Sequence, residues 1–411
     1  MAFLHERLAN GLDVVAETSA AAVSTSLGFF VKTGARDERD AEWGVSHFLE
    51  HMVFKGTSDI SGDEINRRFD ALGAAANAFT SEEDTVYYAA VLPERQDEAL
   101  ELLARMMRPA LRAADFDTEK LVILEEIRMY DDQPPFGADE RVRAAFFGRH
   151  PLARSVLGTV ESIGALPVDA MRDYHRRRYA PGSMVLAAAG AVDFPALVAG
   201  ARRLCGDWEP QAAASRIVPA PAAPAGGDSL ERLVRPAAAL AYATRLSPGP
   251  AESHADRFAA KLLATVLGDG SGSRLYWELV DTGAAEQATL HHQEFLDAGL
   301  FVTQLAGDAA DAAALLEQAR ASYESAARDG IGNREFEQAR NKLAARVVLA
   351  GERPRRRLFE VGGEWAHAGA YRSVADSLAI VDALTRDDLE RVLATWNLAG
   401  PAATIVAGPE A

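Results

Sequence analysis

His47-Phe48-Leu49-Glu50-His51 is the stretch from which the rest of this chain is read. On an α-helix, residues three or four apart share a face. His47 and His51 therefore project side by side, one turn apart, with Glu50 next to them. Two neutral imidazoles aimed at one point make half of a tetrahedral metal site, and a neighbouring carboxylate can accept a proton from a water that the metal acidifies. The plainer reading is an amphipathic helix, apolar through Phe48, Leu49, Met52 and Val53, that happens to carry two histidines. A third ligand decides between the two.

The order H-x-x-E-H inverts the commoner H-E-x-x-H and is the inverted zinc-peptidase signature. Catalytic zinc takes three protein ligands and keeps one position for water. The segment from Asp115 to Ile127 reads as a helix whose start Asp115 or Asp117 can cap. Within it Glu119 and Glu126 stand seven positions apart, two turns, and share a face. Glu125 is turned about 100° away from Glu126. A carboxylate pair flanked by the apolar Val122 and Ile123 is unusual on a solvated helix. Solvated or salt-bridged glutamates are the alternative.

These segments resemble the pitrilysin/insulinase family of zinc metallopeptidases, the inverzincins, in the branch of mitochondrial processing peptidase and its small bacterial relatives. There the histidine motif is followed some seventy-five residues later by E-x-x-x-x-x-x-E, the spacing that separates His51 from Glu126. Leu8-Ala9-Asn10-Gly11-Leu12, Asn77-Ala78-Phe79-Thr80-Ser81, Thr85-Val86-Tyr87, Gly158-Thr159-Val160-Glu161-Ser162-Ile163, Tyr174-His175 and Tyr179-Ala180-Pro181 resemble further family motifs across most of residues 1–200. The resemblance implies one zinc per chain on His47, His51 and Glu126, with Glu50 as general base and Glu119 orienting a ligand from behind. It also implies that Asn77, Ala78, Phe79 and Thr80 lie on an exposed strand edge and bind an extended peptide main chain to main chain.

Length and composition accord with this. A chain of 411 residues suggests two or more domains, and 48% hydrophobic with 25% charged residues is ordinary for a globular protein. The net charge of −17 argues against non-specific nucleic-acid binding and can favour basic peptides. The single Cys205 excludes an internal disulfide and a cysteine-based metal site, and reads as a small buried apolar residue. No signal peptide or membrane span is visible, so a cytoplasmic location is expected, or a periplasmic one if a leader was removed.

The Pro/Ala/Gly-rich run 209–229 reads as a linker between an N-terminal domain, 1–208, and a C-terminal domain, 230–411. The two halves echo each other. Strand 84–92 and the helix after it match strand 298–305 and the helix over 309–327. Long helices follow near 117–131 and 333–350, and apolar strands close each half at 184–190 and 402–408. The expected fold is α+β: two similar domains, each a mostly antiparallel sheet with helices packed on one face, a duplicated unit that the resemblance makes half of a clamshell.

The second half lacks the motif. Opposite the histidine helix stands 251–267, with no second inverted signature. His150, His175, His254, His291, His292 and His367 have no partner at ligand spacing and are left out of the site. The family's S-R-L lead-in is present as Ser273-Arg274-Leu275, but Val280 and Glu286 stand where relatives carry a substrate-contacting Arg and Tyr. Valine donates no hydrogen bond and an ionised Glu is no neutral donor.

The expectation is a zinc endopeptidase or oligopeptidase cleaving peptides or unfolded segments in an enclosed chamber. It is the zinc-bearing subunit of a heterodimer whose homologous partner supplies the Arg/Tyr pair. A self-sufficient peptidase using Arg274 or Tyr276, a non-catalytic assembly subunit and a dedicated precursor-maturation protease are the alternatives.

Overall fold

The computed structural model describes residues 1–211 and 228–410, so most of the linker expected over 209–229 lies outside the described residues. The chain divides into two compact units, each discontinuous in sequence. The first comprises residues 1–127, 154–218 and 348–374; the second comprises 128–153, 219–347 and 375–411.

In the first unit, β1 (Ala2–Arg7), β2 (Asp13–Thr18), β3 (Thr25–Val31), β4 (Ala75–Thr80), β5 (Thr85–Val91) and β6 (Met184–Gly190) form one sheet in the order β1-β2-β6-β3-β5-β4. Every pair is antiparallel except β2 with β6. Residues two apart on a strand face the same side, and both sides of the central strands are apolar. Val14, Ala16, Leu27, Phe29, Val31, Leu186 and Ala188 join the main core with helices Val45–Val53, Gln96–Met106, Val168–Arg178 and Phe194–Cys205. Val15, Phe30, Val185, Ala187 and Ala189 point the other way, against Leu358, Val361 and Ala366 of helix Pro354–Ala368. At Gly362 a side chain would strike the Phe30 ring at 2.3 Å, so a glycine lets this helix lie close on the sheet. The main helical layer sits on one face, as expected, and a single helix from late in the chain covers the other.

The second unit repeats this order. β7 (Ser229–Val234), β8 (Ala241–Gly249), β9 (Gln287–Glu294), β10 (Gly299–Gly307) and β11 (Ala403–Gly408) run β7-β11-β8-β10-β9. Again one pair, β7 with β11, is parallel and the rest are antiparallel. This is the connectivity of β2-β6-β3-β5-β4. One face packs on helices that include Arg257–Gly268 and Ala312–Asp329. The other, through Leu246, Leu300, Val302 and Ile405, packs on Val142, Phe146 and Phe147 of helix Ala138–Phe147. The fold is therefore two α+β units of one topology. No described helix is long and apolar enough to cross a membrane.

Candidate metal centre and its surroundings

Helix Val45–Val53 buries Val45, Phe48, Leu49, Met52 and Val53 in the core, leaving His47, Glu50 and His51 on another face. Its start is fixed from below. The Glu38 carboxylate accepts the backbone N–H of Gly44 (2.7 Å) and of Ser46 (2.8 Å), which satisfies donors that a helix start leaves unpaired and places acid at the positive end of the dipole. The Ser46 hydroxyl joins Tyr174 (2.7 Å), which in turn joins Thr33 (2.8 Å). Gly44 has φ +89°, and a side chain there would meet Leu157 O and Gly158 Cα within 3 Å, so only glycine suits this entry turn.

The second contributor is helix Ala113–Asp132, which begins two residues before Asp115; the aspartates expected to cap it lie inside its first turns instead. It docks through Phe116, whose ring stacks on Phe48 at 4.6 Å. Two turns separate Glu119 from Glu126, as read, and both face the histidine helix. Glu126 Oε2 lies 3.8 Å from His47 Nε2 and 3.6 Å from His51 Nε2. One ligand atom from each of the three residues lies within 4.8 Å of the others, and among the described residues this is the one group that could hold a metal ion.

The separations suit zinc. They are too long for hydrogen bonds, whereas ligand atoms about 2 Å from a tetrahedral ion stand roughly 3.3 Å apart. Burial lowers the His47 pKa to about 3, keeping its lone pair available. Behind His51, Glu119 Oε1 lies 2.9 Å from Nδ1. A carboxylate accepts, so Nδ1 carries the hydrogen and Nε2 is left as the ligand atom. His47 differs: its Nδ1 is buried and finds no hydrogen-bond partner among the described residues.

Glu50 lies beside the triad and is held by a residue that sequence reasoning placed elsewhere. Thr80, expected only as part of the peptide-binding strand, donates its hydroxyl to Glu50 Oε2 at 2.6 Å. Burial raises the Glu50 pKa, and the Thr80 bond opposes this. β4 is the terminal strand of its sheet, pairing with β5 alone. Ala75, Asn77 and Phe79 are exposed along it while Ala76, Ala78 and Thr80 are half-buried. Phe79 meets Phe359, and the Asn77 side chain accepts the Ala78 N–H at 2.8 Å. No pattern in the sequence ties residue 80 to residue 50; only the packing of β4 beside the histidine helix does.

Most of the other histidines have structural partners. His175 donates to Met107 O, His292 to Pro250 O, and His367 pairs with Asp84. His254 accepts the Asp256 N–H, and His150 lies 3.9 Å from Asp297. Cys205 is buried and free. In the second unit Val280 ends a π-helical turn, Tyr276–Val280, half-buried against the core, and Glu286 is exposed just before β9. Arg274 is engaged by both Glu335 oxygens and by Gly330 O.

A duplicated α+β chain in which, among the described residues, only the first copy brings together a potential metal-ligand triad defines the class. The chain belongs to the insulinase family of peptidases. Residues 13–160 match the family described as Insulinase (Peptidase family M16), and residues 165–343 match the Peptidase M16 inactive domain. It is 35% identical over 396 residues to an uncharacterized zinc protease of Mycobacterium tuberculosis, covering 94% of this chain and 88% of the relative. A similarly named protein of Mycobacterium leprae is 34% identical over 391 residues, 92% and 85% of the two chains. Among solved structures, a protease from Helicobacter pylori superposes with TM-score 0.92 at 22% identity over 99% of this chain and 100% of that one, a likeness of fold.

Proposed function

We propose that this chain is a zinc-dependent peptidase of broad specificity, with His47, His51 and Glu126 holding the ion and Glu50 as general base. The observation that carries this is the approach of Glu126 to both imidazoles, with Glu50 alongside. Zinc held there would acidify a water and polarise the scissile carbonyl. Thr80 occupies Glu50 Oε2, leaving Oε1 to take the proton from that water and pass it to the leaving amine. Burial raises the Glu50 pKa, which makes it a stronger base. The free edge of β4 suits an extended peptide added as a further strand; a substrate carbonyl there would replace the Asn77 side chain on the Ala78 N–H. Glu50→Gln should keep one zinc per chain and lose about a hundred- to ten-thousand-fold in kcat. Normal cleavage by that variant removes Glu50 from the role.

The same reading makes the chain the zinc-bearing subunit of a heterodimer. Val280 half-buried in a core and Glu286 at the positions where relatives carry Arg and Tyr support it. The Arg274–Glu335 pair disfavours Arg274 as a substitute donor. Peptide cleavage by the purified chain, alone and mixed with a co-encoded homologue, tests this: activation by the homologue is expected, and full activity alone refutes the split site.

A further inference from the structure

We infer that Lys55 is a positioning residue of the metal centre, acting through Glu119 to aim His51. The inference rests on the triad proposed above and concerns a side chain outside it.

Glu119 has both oxygens assigned. Oε1 lies 2.9 Å from His51 Nδ1, and Oε2 pairs with Lys55 Nζ. The terminal torsion of a glutamate is broad and roughly two-fold, so a carboxylate fixed at one oxygen alone can swing and carry the histidine with it. Lys55 removes that freedom. The Glu119 side chain is only 6% exposed while that of Lys55 is 40% exposed, so the pair is half sheltered from the solvent that makes surface ion pairs worth little.

Lys55 is itself held at the backbone. It lies one turn beyond His51, on the same side of the chain, and its N–H donates to Met52 O at 3.1 Å. A side chain at Gly62 would approach Lys55 Cα to 3.2 Å and Phe54 O to 2.5 Å, so two stretches of main chain are pressed together there. Arg112 donates to the carbonyls of Lys55 and Thr57, and the next residue opens helix Ala113–Asp132, which carries Glu119 and Glu126. One short turn thus fixes the lysine and the start of the helix whose glutamate it grips. The arrangement is one-sided, since His47 Nδ1 finds no partner among the described residues. Orientation of the imidazoles from behind therefore rests on His51, Glu119 and Lys55.

The test is zinc affinity, measured by competition with a chelator on the full chain, with circular dichroism and Tm checking the fold. Mutating a group that orients a metal-bound histidine usually weakens affinity about ten- to a hundredfold. Glu119→Gln should fall in that range. Lys55→Met, one step further out, should weaken zinc by roughly three- to tenfold, and Lys55→Arg should restore most of the loss. The double variant Lys55→Met/Glu119→Gln should bind zinc no worse than Glu119→Gln alone, because the lysine acts only through the glutamate. Wild-type affinity in a folded Lys55→Met protein, or additive losses in the double variant, overturns the inference. Failure of the unmodified chain to bind zinc at all would instead overturn the proposed function.

Discussion

The two units share the order of five strands, and the helix that follows the central strand sets them apart. In the first, helix Val45–Val53 keeps a face clear of the core, and Glu50 on that face meets Thr80 of β4. In the second, helix Arg257–Gly268 occupies the same place in the connectivity but is buried from Leu262 through Gly268 by aliphatic and small residues and one threonine. Its last glycine is pressed against β9: a side chain at Gly268 would lie 2.2 Å from the Leu290 nitrogen. The second unit filled with main-chain packing the space that the first uses for acid and imidazole. A sheet topology constrains what a chain can pack; which side chains face the gap decides whether it can do chemistry.

The comparison breaks most sharply at the ligands. Glu126→Ala should leave two histidines facing a gap and weaken zinc by well over a hundredfold, more than loss of an orienting group does. His291→Ala, on the exposed side of β9 in the second unit, should leave zinc affinity unchanged. Metal analysis after dialysis checks both, and retention of zinc by Glu126→Ala would locate the ion elsewhere.

A subtler test is Thr80→Val, which keeps the shape of the side chain and removes the hydroxyl that holds Glu50. A hydrogen bond to a charged group is worth about 1.5–3 kcal/mol, so kcat should fall by roughly ten- to a hundredfold with zinc content unchanged. Thr80→Ser should recover most of the rate. A change confined to KM would return Thr80 to the purely strand-binding role that the sequence suggested.

The smallest expected effect treats the two units alike. His175 in the first and His292 in the second each donate Nε2–H to a backbone carbonyl, and burial lowers each pKa to about 4. In the unfolded chain a histidine titrates near 6.5. Between those values the unfolded state binds protons that the fold refuses, so stability declines as pH falls from about 6.5 to about 4 and is flat above. Each histidine should contribute on the order of one to three kcal/mol across that window. Thermal unfolding at pH 7 and pH 5 measures it. His175→Gln, which keeps a donor for Met107 O, should flatten part of the slope; an unchanged slope would mean that His175 is not a source of it.

What the sequence made legible was periodic or local. A helix turns His47 and His51 to one side and brings Glu119 and Glu126 into line, because 3.6 residues per turn leaves little choice. The echo of strands and helices between the halves was visible as order along the chain, and it reappears as shared connectivity. Contacts closed by tertiary packing were not visible. Thr80 reaches Glu50 across the gap between a strand and a helix, Lys55 meets Glu119 across sixty-odd residues, and Glu38 reaches forward to cap the histidine helix. Nothing in the sequence of helix Pro354–Ala368 says that it covers the sheet of the first unit, whose strands all end by Gly190. The start of helix Ala113–Asp132 was misplaced for a simpler reason: Asp115 is a good cap by type, but the chain had already turned helical at Ala113.

The central claim is that three side chains from two separate helices take one metal ion. Crystals of the zinc-loaded protein, measured at the zinc absorption edge, test it directly. The account predicts one anomalous peak per chain, within bonding distance of His47 Nε2, His51 Nε2 and a Glu126 oxygen, with Glu119 still on His51 Nδ1. A peak at any other residues, or none in protein soaked with excess zinc, would contradict it.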